Sequence, residues 1–353
     1  MMKPYRPAIF LWLFSALTAC ENSLNDDTLP TIPGTYILNN GNWGGNDSNI
    51  GIYDPYGKSF IPDAFFAANG QKLGDLGQDI IRHGENLYIA VNGSQTIFVT
   101  EPDLKIRFQI NATEDGGSRL SPRAFVTHGD KLYVTYYEGY VGEISEDCSV
   151  RLCQTGPNPE GITAAGNHLY TANSGGMSYP EYNNTVSVIS MSSFTETSTI
   201  EVNVNPIGIE ASSDGAYVYV SSFGNYSDMP AMLQVIDTSS GKVDNLDYTS
   251  TSAISKGRDD MLYILCGGYD ENFNQLPGTI YMHDMKNNRK LGTFIKDGTV
   301  LKNAYSLSAT SDGFVYVGCS DYKTTGDVYV FNADGVLHDK FDSQGLNPLV
   351  SYK

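Results

Sequence analysis

The stretch LNPLVSYK (346–353) breaks off inside a pattern that the chain has already used twice. PNPEGITAAGNHLYTANSGG (157–176) and VNPIGIEASSDGAYVYVSS (204–222) each run Asn-Pro, a short apolar segment, a polar turn and a Tyr-centred strand. In LNPLVSYK the turn and the Tyr strand do not follow. If the pattern is a structural repeat, its missing half has to come from elsewhere in the chain.

Seven segments share the core apolar–Tyr–apolar: TYIL at Tyr36, LYIA at Tyr88, LYVT at Tyr133, LYTA at Tyr170, VYVS at Tyr219, LYIL at Tyr263 and VYVG at Tyr316. Successive tyrosines lie 52, 45, 37, 49, 44 and 53 residues apart. After each comes a loop, then a second alternating strand such as TIFVTEPD or LQVIDTSSG, then a further short strand. Period-2 alternation bounded by Gly, Asn and Asp marks strands and turns, and no stretch shows a sustained helical period. Four strands every ~40–50 residues define a propeller blade. The expected fold is all-β: a seven-bladed β-propeller of four-stranded blades over residues 35–353. In blades two to seven the strand before the Tyr strand is expected to start at Gly77, Ser121, Asn158, Asn205, Thr251 and Asn303. The first blade has no such strand ahead of Tyr36, so NPLVSYK is expected to supply it from the other terminus, leaving no open edge.

The N-terminus reads as an export signal. Lys3 and Arg6 precede an apolar run, Ala8 to Leu17, broken only by Ser15 and too short to span a bilayer. The following LTAC (17–20) resembles the lipobox of bacterial lipoproteins, which implies removal of residues 1–19 and acylation of Cys20. Residues 20–34, ending in ENSLNDDTLPTIPG, read as a flexible tether. Glu21 after the Cys points to the outer membrane, and Asp26-Asp27 to the cell surface. Loss of Lys3 and Arg6 takes the formal charge from −18 to −20, a surface that repels nucleic acid and anionic membranes. Acidity of this degree also keeps an exported protein soluble. Of the remaining cysteines, Cys148 and Cys153 flank SVRL and are expected to close a short hairpin as a disulfide, while Cys266 and Cys319 read as small buried side chains.

NNGNWGGN, GPNPEGI, LYTANSGG, YNNTVSVI and VNPIGIEAS together resemble the YncE-like, surface-layer-type propeller lipoproteins, over nearly the whole chain after residue 19. The chain is similar to the BtuG-type members of gut Bacteroides. The resemblance implies a surface protein that captures cobalamin and passes it to a TonB-dependent outer-membrane transporter, with no cofactor of its own.

The candidate ligand face follows from loop lengths. Loops between second and third strands are long in most blades: NNGNWGGNDSN, NSGGMSYPEYNN, FGNYSDMPAM, GGYDENFNQLPG and SDYKTTG, against NGSQ and YEG in blades two and three. The opposite ends carry tight turns such as RHGEN, THGDK and SSDGA. The long-loop face holds Asn42, Trp43, Tyr137, Tyr140, Tyr179, Tyr182, Phe223, Tyr226, Tyr269, Phe273 and Tyr322, with about half of the rings expected to pack against neighbouring blades. Entries to the innermost strands add Gln78, Asp79, Arg123, Glu160 and Tyr305; Arg123 and Glu160 are structural if they meet as an ion pair, and if separate could hold ligand amides or a phosphate. Burying ~600 Å² of apolar surface yields ~15 kcal/mol before binding costs, a scale that suits a corrinoid or a stacked oligosaccharide better than a monosaccharide.

Catalysis has weaker support. His83, His128 and His168 occupy plain-face turns, and neither G-x-S-x-G nor H-E-x-x-H occurs. DENFN (270–274) opens like a calcium loop but lacks Gly at position six and Glu at twelve. The sequence therefore points to a non-enzymatic small-molecule capture protein without a metal site. A surface glycan- or protein-binding module is the alternative, and a propeller lyase or lactonase the third reading.

Overall fold

The computed structural model describes residues 34–269 and 275–350. The expected leader, lipidated Cys20 and tether, the DENFN segment and Phe273 fall outside these residues. The described chain forms seven four-stranded antiparallel sheets arranged as the blades of a propeller. The innermost strands are Gly77–His83, Pro122–His128, Pro159–Ala165, Pro206–Ala211, Thr251–Lys256 and Ala304–Ala309 in blades two to seven, within a residue of the expected starts. One short α-helix, Ala64–Asn69, interrupts the all-β pattern between blades one and two. It buries Phe65 against Phe98 (centroids 5.3 Å apart) and ends at Gly70, whose φ of 64° suits a residue without Cβ. No helix among the described residues is long and apolar enough to cross a membrane.

The first blade is built from both ends of the chain. Pro348–Val350 is its innermost strand, paired antiparallel with Thr35–Asn39, and Asn49–Asp54 and Ser59–Ile61 complete the sheet. This seam uses the same device as the other six. In every blade a residue at the end of the second strand, the one just after it in six blades and Gly267 within Met261–Tyr269 in blade six, donates its N–H to the carbonyl just ahead of the innermost strand. The bonds are Asn92 to Leu76, Tyr137 to Ser121, Ser174 to Asn158, Phe223 to Asn205, Gly267 to Ser250, Ser320 to Asn303 and, across the termini, Asn40 to Asn347. Asn158, Asn205, Asn303 and Asn347 are left-handed at this position (φ 49–61°), a conformation asparagine adopts more readily than most residues. Proline follows three of them as the first strand residue, where no ladder donor is needed. The recurring Asn-Pro is thus the corner where one blade hands the chain to the next. At the seam, Asn347 also donates from Nδ2 to the Gly41 carbonyl (2.9 Å) and accepts from Ser320 Oγ (2.6 Å).

Buried apolar side chains gather in seven clusters, one between each pair of adjacent blades. Each repeat tyrosine lies in the layer between its own blade and the next, and all seven are at most 8% exposed. Three of their hydroxyls reach partners across the layer, Tyr36 to the Pro102 carbonyl (2.6 Å), Tyr219 to the Met285 carbonyl (2.9 Å) and Tyr316 to Thr35 Oγ1 (2.9 Å), whereas the buried Tyr133 hydroxyl has no hydrogen-bond partner among the described residues.

Cys266 and Cys319 are buried as expected, and burial pushes their thiols up to about 11 and about 12. The disulfide expected between Cys148 and Cys153 does not form; both are free thiols. Strand parity explains the correction. Cys153 lies opposite Val141 and packs into the layer between blades three and four. Val150, Leu152 and Cys148 face the other way, towards blade two. Cys148 sits in the turn before the strand Val150–Gln154 and packs on the side of Val150 and Leu152, while Cys153 alternates to the other face, so the two thiols look away from each other.

Candidate functional site

Antiparallel pairing sets the start of each innermost strand beside the end of the second, as in Gly77 opposite Val91 and Pro159 opposite Asn173. The strand entries and the long loops therefore share one face. At this end, in blades two to seven, the pairing slips by a residue, a β-bulge that re-aims the leftover side chain. The slipped segments carry Gln78, Arg123, Glu160, Ile207, Ser252 and Tyr305, and Leu349 holds the matching position in blade one. Glu160 is buried; the other six are half-buried, as befits the wall of a channel mouth.

Arg123 and Glu160 form the expected ion pair between adjacent blades. Glu160 also accepts from Ser174 Oγ (3.3 Å), and the Arg123 guanidinium lies over the Tyr137 ring at 4.9 Å. From Tyr137 a chain of hydroxyl-bearing rings follows the rim. The electrostatic neighbours of its hydroxyl include Tyr182. Tyr182 makes edge contacts with Tyr179 (5.9 Å) and Tyr226 (6.1 Å). Tyr226 exposes 69% of its surface, and Asn205, Tyr322 and Glu160 are among the electrostatic neighbours of its hydroxyl. Tyr322 meets Tyr305 edge-on at 5.6 Å, and the Tyr305 hydroxyl senses Arg123. Six tyrosines from blades three, four, five and seven thus line the mouth, with the Arg123–Glu160 pair in its wall.

Burial raises the pKa of Tyr137, Tyr182 and Tyr226, reinforced by Glu160, Tyr179 and Tyr182 respectively. It pushes Tyr305 up to about 12, with Tyr322 adding to the shift and Arg123 opposing it. These hydroxyls stay protonated at neutral pH and can donate as well as accept.

The remaining expected residues divide by depth. Trp43 stands 80% exposed on a turn where the Asn42 amide donates to Asp47 Oδ1 (2.9 Å). Phe223 is half-buried beside the rim, and Tyr140 lies in the layer between blades two and three, with its hydroxyl reaching Glu114. Tyr269 ends the strand Met261–Tyr269, opposite Gln275. Asp79 is committed to structure: its carboxylate accepts from the Ile80 N–H (2.8 Å) and, across to blade three, from the Phe125 N–H (2.9 Å). Ile207, Ser252 and Leu349 were not expected at the mouth. The repeat contained the signal, since each occupies the register position of Arg123 and Glu160 in its own blade.

On the opposite face His83, His128 and His168 sit at strand ends beside tight turns. A polar cavity of about 250 Å³ there is lined by Thr127, His128, Thr163, Glu210, Ser213 and Lys256, among others. The Lys256 ammonium is already engaged by the Ala211 carbonyl, Ser213 Oγ and Asp260. No group of three or more His, Cys, Asp or Glu is placed to hold a metal among the described residues.

No protein-family model matches the sequence, and no curated protein matches it. Similarity to solved structures is extensive and lies in the fold. Hydrazine synthase of Kuenenia stuttgartiensis superposes with a TM-score of 0.59 at 17% identity, over 73% of this chain and 77% of that one. The computationally designed Ika8 protein gives 0.56 at 12% identity over 91% of each chain. The dihydro-heme d1 dehydrogenase NirN, in complex with DHE, gives 0.52 at 12% identity over 88% of this chain and 67% of that one. Two of these are enzymes and one is a design, so the shared architecture carries no single chemistry with it. The chain is a seven-bladed β-propeller.

Proposed function

We propose that this propeller captures a broad, amide-rimmed small molecule, a corrinoid such as cobalamin, on its long-loop face. The single observation that supports this reading most is the set of tyrosines lining the channel mouth. Its rings offer apolar faces to a wide planar body, and its protonated hydroxyls offer donors and acceptors to a polar rim. In this reading the chain is held at the outer membrane through acylated Cys20, faces outward on its tether and delivers the ligand to a TonB-dependent transporter. No reaction is assigned to the site. The two carboxylates near the mouth are engaged, Asp79 by backbone amides and Glu160 by Arg123.

The test is retention of colour. Purified protein incubated with cyanocobalamin and desalted should keep the absorbance of the corrinoid, and the double variant Tyr182→Ala/Tyr226→Ala should lose it while melting like the parent. Colourless parent protein that instead retains a labelled oligosaccharide would replace this reading with a glycan-binding one.

A further inference from the structure

The wall of the mouth is divided. Gln78, Arg123 and Glu160 occupy three successive blades, whereas the opposite arc of Ile207, Ser252, Tyr305 and Leu349 carries no ionised group. On the polar arc the hydrogen-bond donors are largely unspent. Among the described residues Arg123 makes one hydrogen bond, from Nη2 to Glu160, so its Nε and Nη1 hydrogens have no protein acceptor. Gln78 makes none there, although its neighbours Gly77 and Asp79 are both engaged. The Arg123 side chain is 23% exposed and pinned between Glu160 and the Tyr137 ring. A guanidinium held in place with idle donors is preorganised for an acceptor group, and its planar fork matches an oxyanion best.

Resting on the capture reading above, we infer that Gln78 and Arg123 form a subsite for a phosphodiester-bearing arm of the ligand. The arm enters the channel mouth on the side of blades two and three, while the flat body of the ligand lies over Tyr182 and Tyr226. Glu160 does not repel the arm decisively, because its charge is already matched by Arg123 and its second oxygen by Ser174. The pair instead fixes the plane of the guanidinium, making Glu160 a positioning residue and Arg123 and Gln78 the ones that read the ligand.

Two corrinoids separate the outcomes. Cyanocobalamin carries the phosphodiester arm, and dicyanocobinamide lacks it. Calorimetric titration of the parent should show tighter binding of cyanocobalamin. Arg123→Lys retains the charge but not the fork, and should weaken cyanocobalamin by roughly tenfold or more while leaving dicyanocobinamide within about twofold. Gln78→Leu, which leaves the ion pair intact, should shift the same ratio in the same direction to a smaller extent. Equal weakening of both ligands by either variant, with unchanged melting, would overturn the subsite and leave the capture reading standing. A parent that binds neither corrinoid would remove both.

Discussion

Tyrosines between the blades and tyrosines at the mouth meet opposite surroundings. The repeat residues Tyr36, Tyr88, Tyr133, Tyr170, Tyr219, Tyr263 and Tyr316 recur once per blade in the same strand, and each is sealed in the layer facing the next blade. Tyr137, Tyr179, Tyr182, Tyr226, Tyr305 and Tyr322 follow no repeat. They come from loops and bulges of four blades, and Tyr179 and Tyr226 are 72% and 69% exposed. The first set supplies apolar area where every blade needs the same filler; the second presents rings and hydroxyls to one opening. Periodicity therefore marks the architecture, and the departures from it mark the surface available for recognition. The two faces differ in the same sense, with long loops and exposed rings on one and tight turns with engaged polar groups on the other.

The comparison breaks outright if the ring opens. Deleting residues 346–353 removes the innermost strand of blade one and the Asn347 corner, exposing an unpaired edge on Thr35–Asn39. Loss of the cooperative melting transition in circular dichroism is the expected outcome. A truncated chain that melts like the parent would mean that the seam does not hold the ring.

Next in size is Tyr316→Ala. Tyr316 is fully buried between the last and first blades, edge-on to Tyr53 at 6.3 Å, with its hydroxyl bonded to Thr35 Oγ1 (2.9 Å). Removing a ring of this size from a packed layer costs about 3–5 kcal/mol, read from urea unfolding. Tyr182→Ala should cost less than ~0.5 kcal/mol in the same assay and show its effect in ligand affinity instead. Similar losses of stability for the two variants would erase the distinction between the tyrosine sets.

Acid sharpens the contrast from the other face. His283 is 2% exposed between blades five and six, where Tyr248 bonds to its Nδ1 (3.0 Å) and Asn288 Oδ1 to its Nε2 (3.0 Å). Because Asn288 Oδ1 only accepts, Nε2 carries the hydrogen and Nδ1 accepts from the Tyr248 hydroxyl. Burial lowers the His283 pKa below its ordinary value; Asn288 and Asp284 oppose the shift, and Lys290 adds to it. With the folded value depressed, the unfolded chain takes up the proton first. The contribution of neutral His283 is then complete above about pH 6.5 and is lost as the pH falls towards and through the folded value. Urea midpoints measured between pH 7.5 and 5 should fall for the parent and fall less for His283→Gln. Parallel slopes would show that the histidine is not the group being titrated.

Much of this architecture is legible in the linear chain, and the reasons are local. Apolar–Tyr–apolar segments alternate with a strand period, and each Asn-Pro marks a left-handed corner followed by a strand start. The helix Ala64–Asn69 escaped because six residues display too little of a 3.6-residue period. The cysteine pairing failed because closeness in sequence was read without side-chain parity. At the site, the entry residues Gln78, Arg123, Glu160 and Tyr305 were legible from blade alignment, whereas the commitment of Asp79 to the Phe125 amide depends on how two blades are juxtaposed.

Sequence alone determined the number of blades, the route of the chain through each one and the terminus that completes the first, because these follow from repeats and from the need of every strand edge for a partner. Tertiary structure decided which tyrosines face an opening and which donors of Arg123 remain unspent. It also decided that Cys148 and Cys153 look into different layers. Those outcomes depend on the angle between neighbouring blades and on bulges that turn single side chains, quantities set by contacts between residues far apart in the chain.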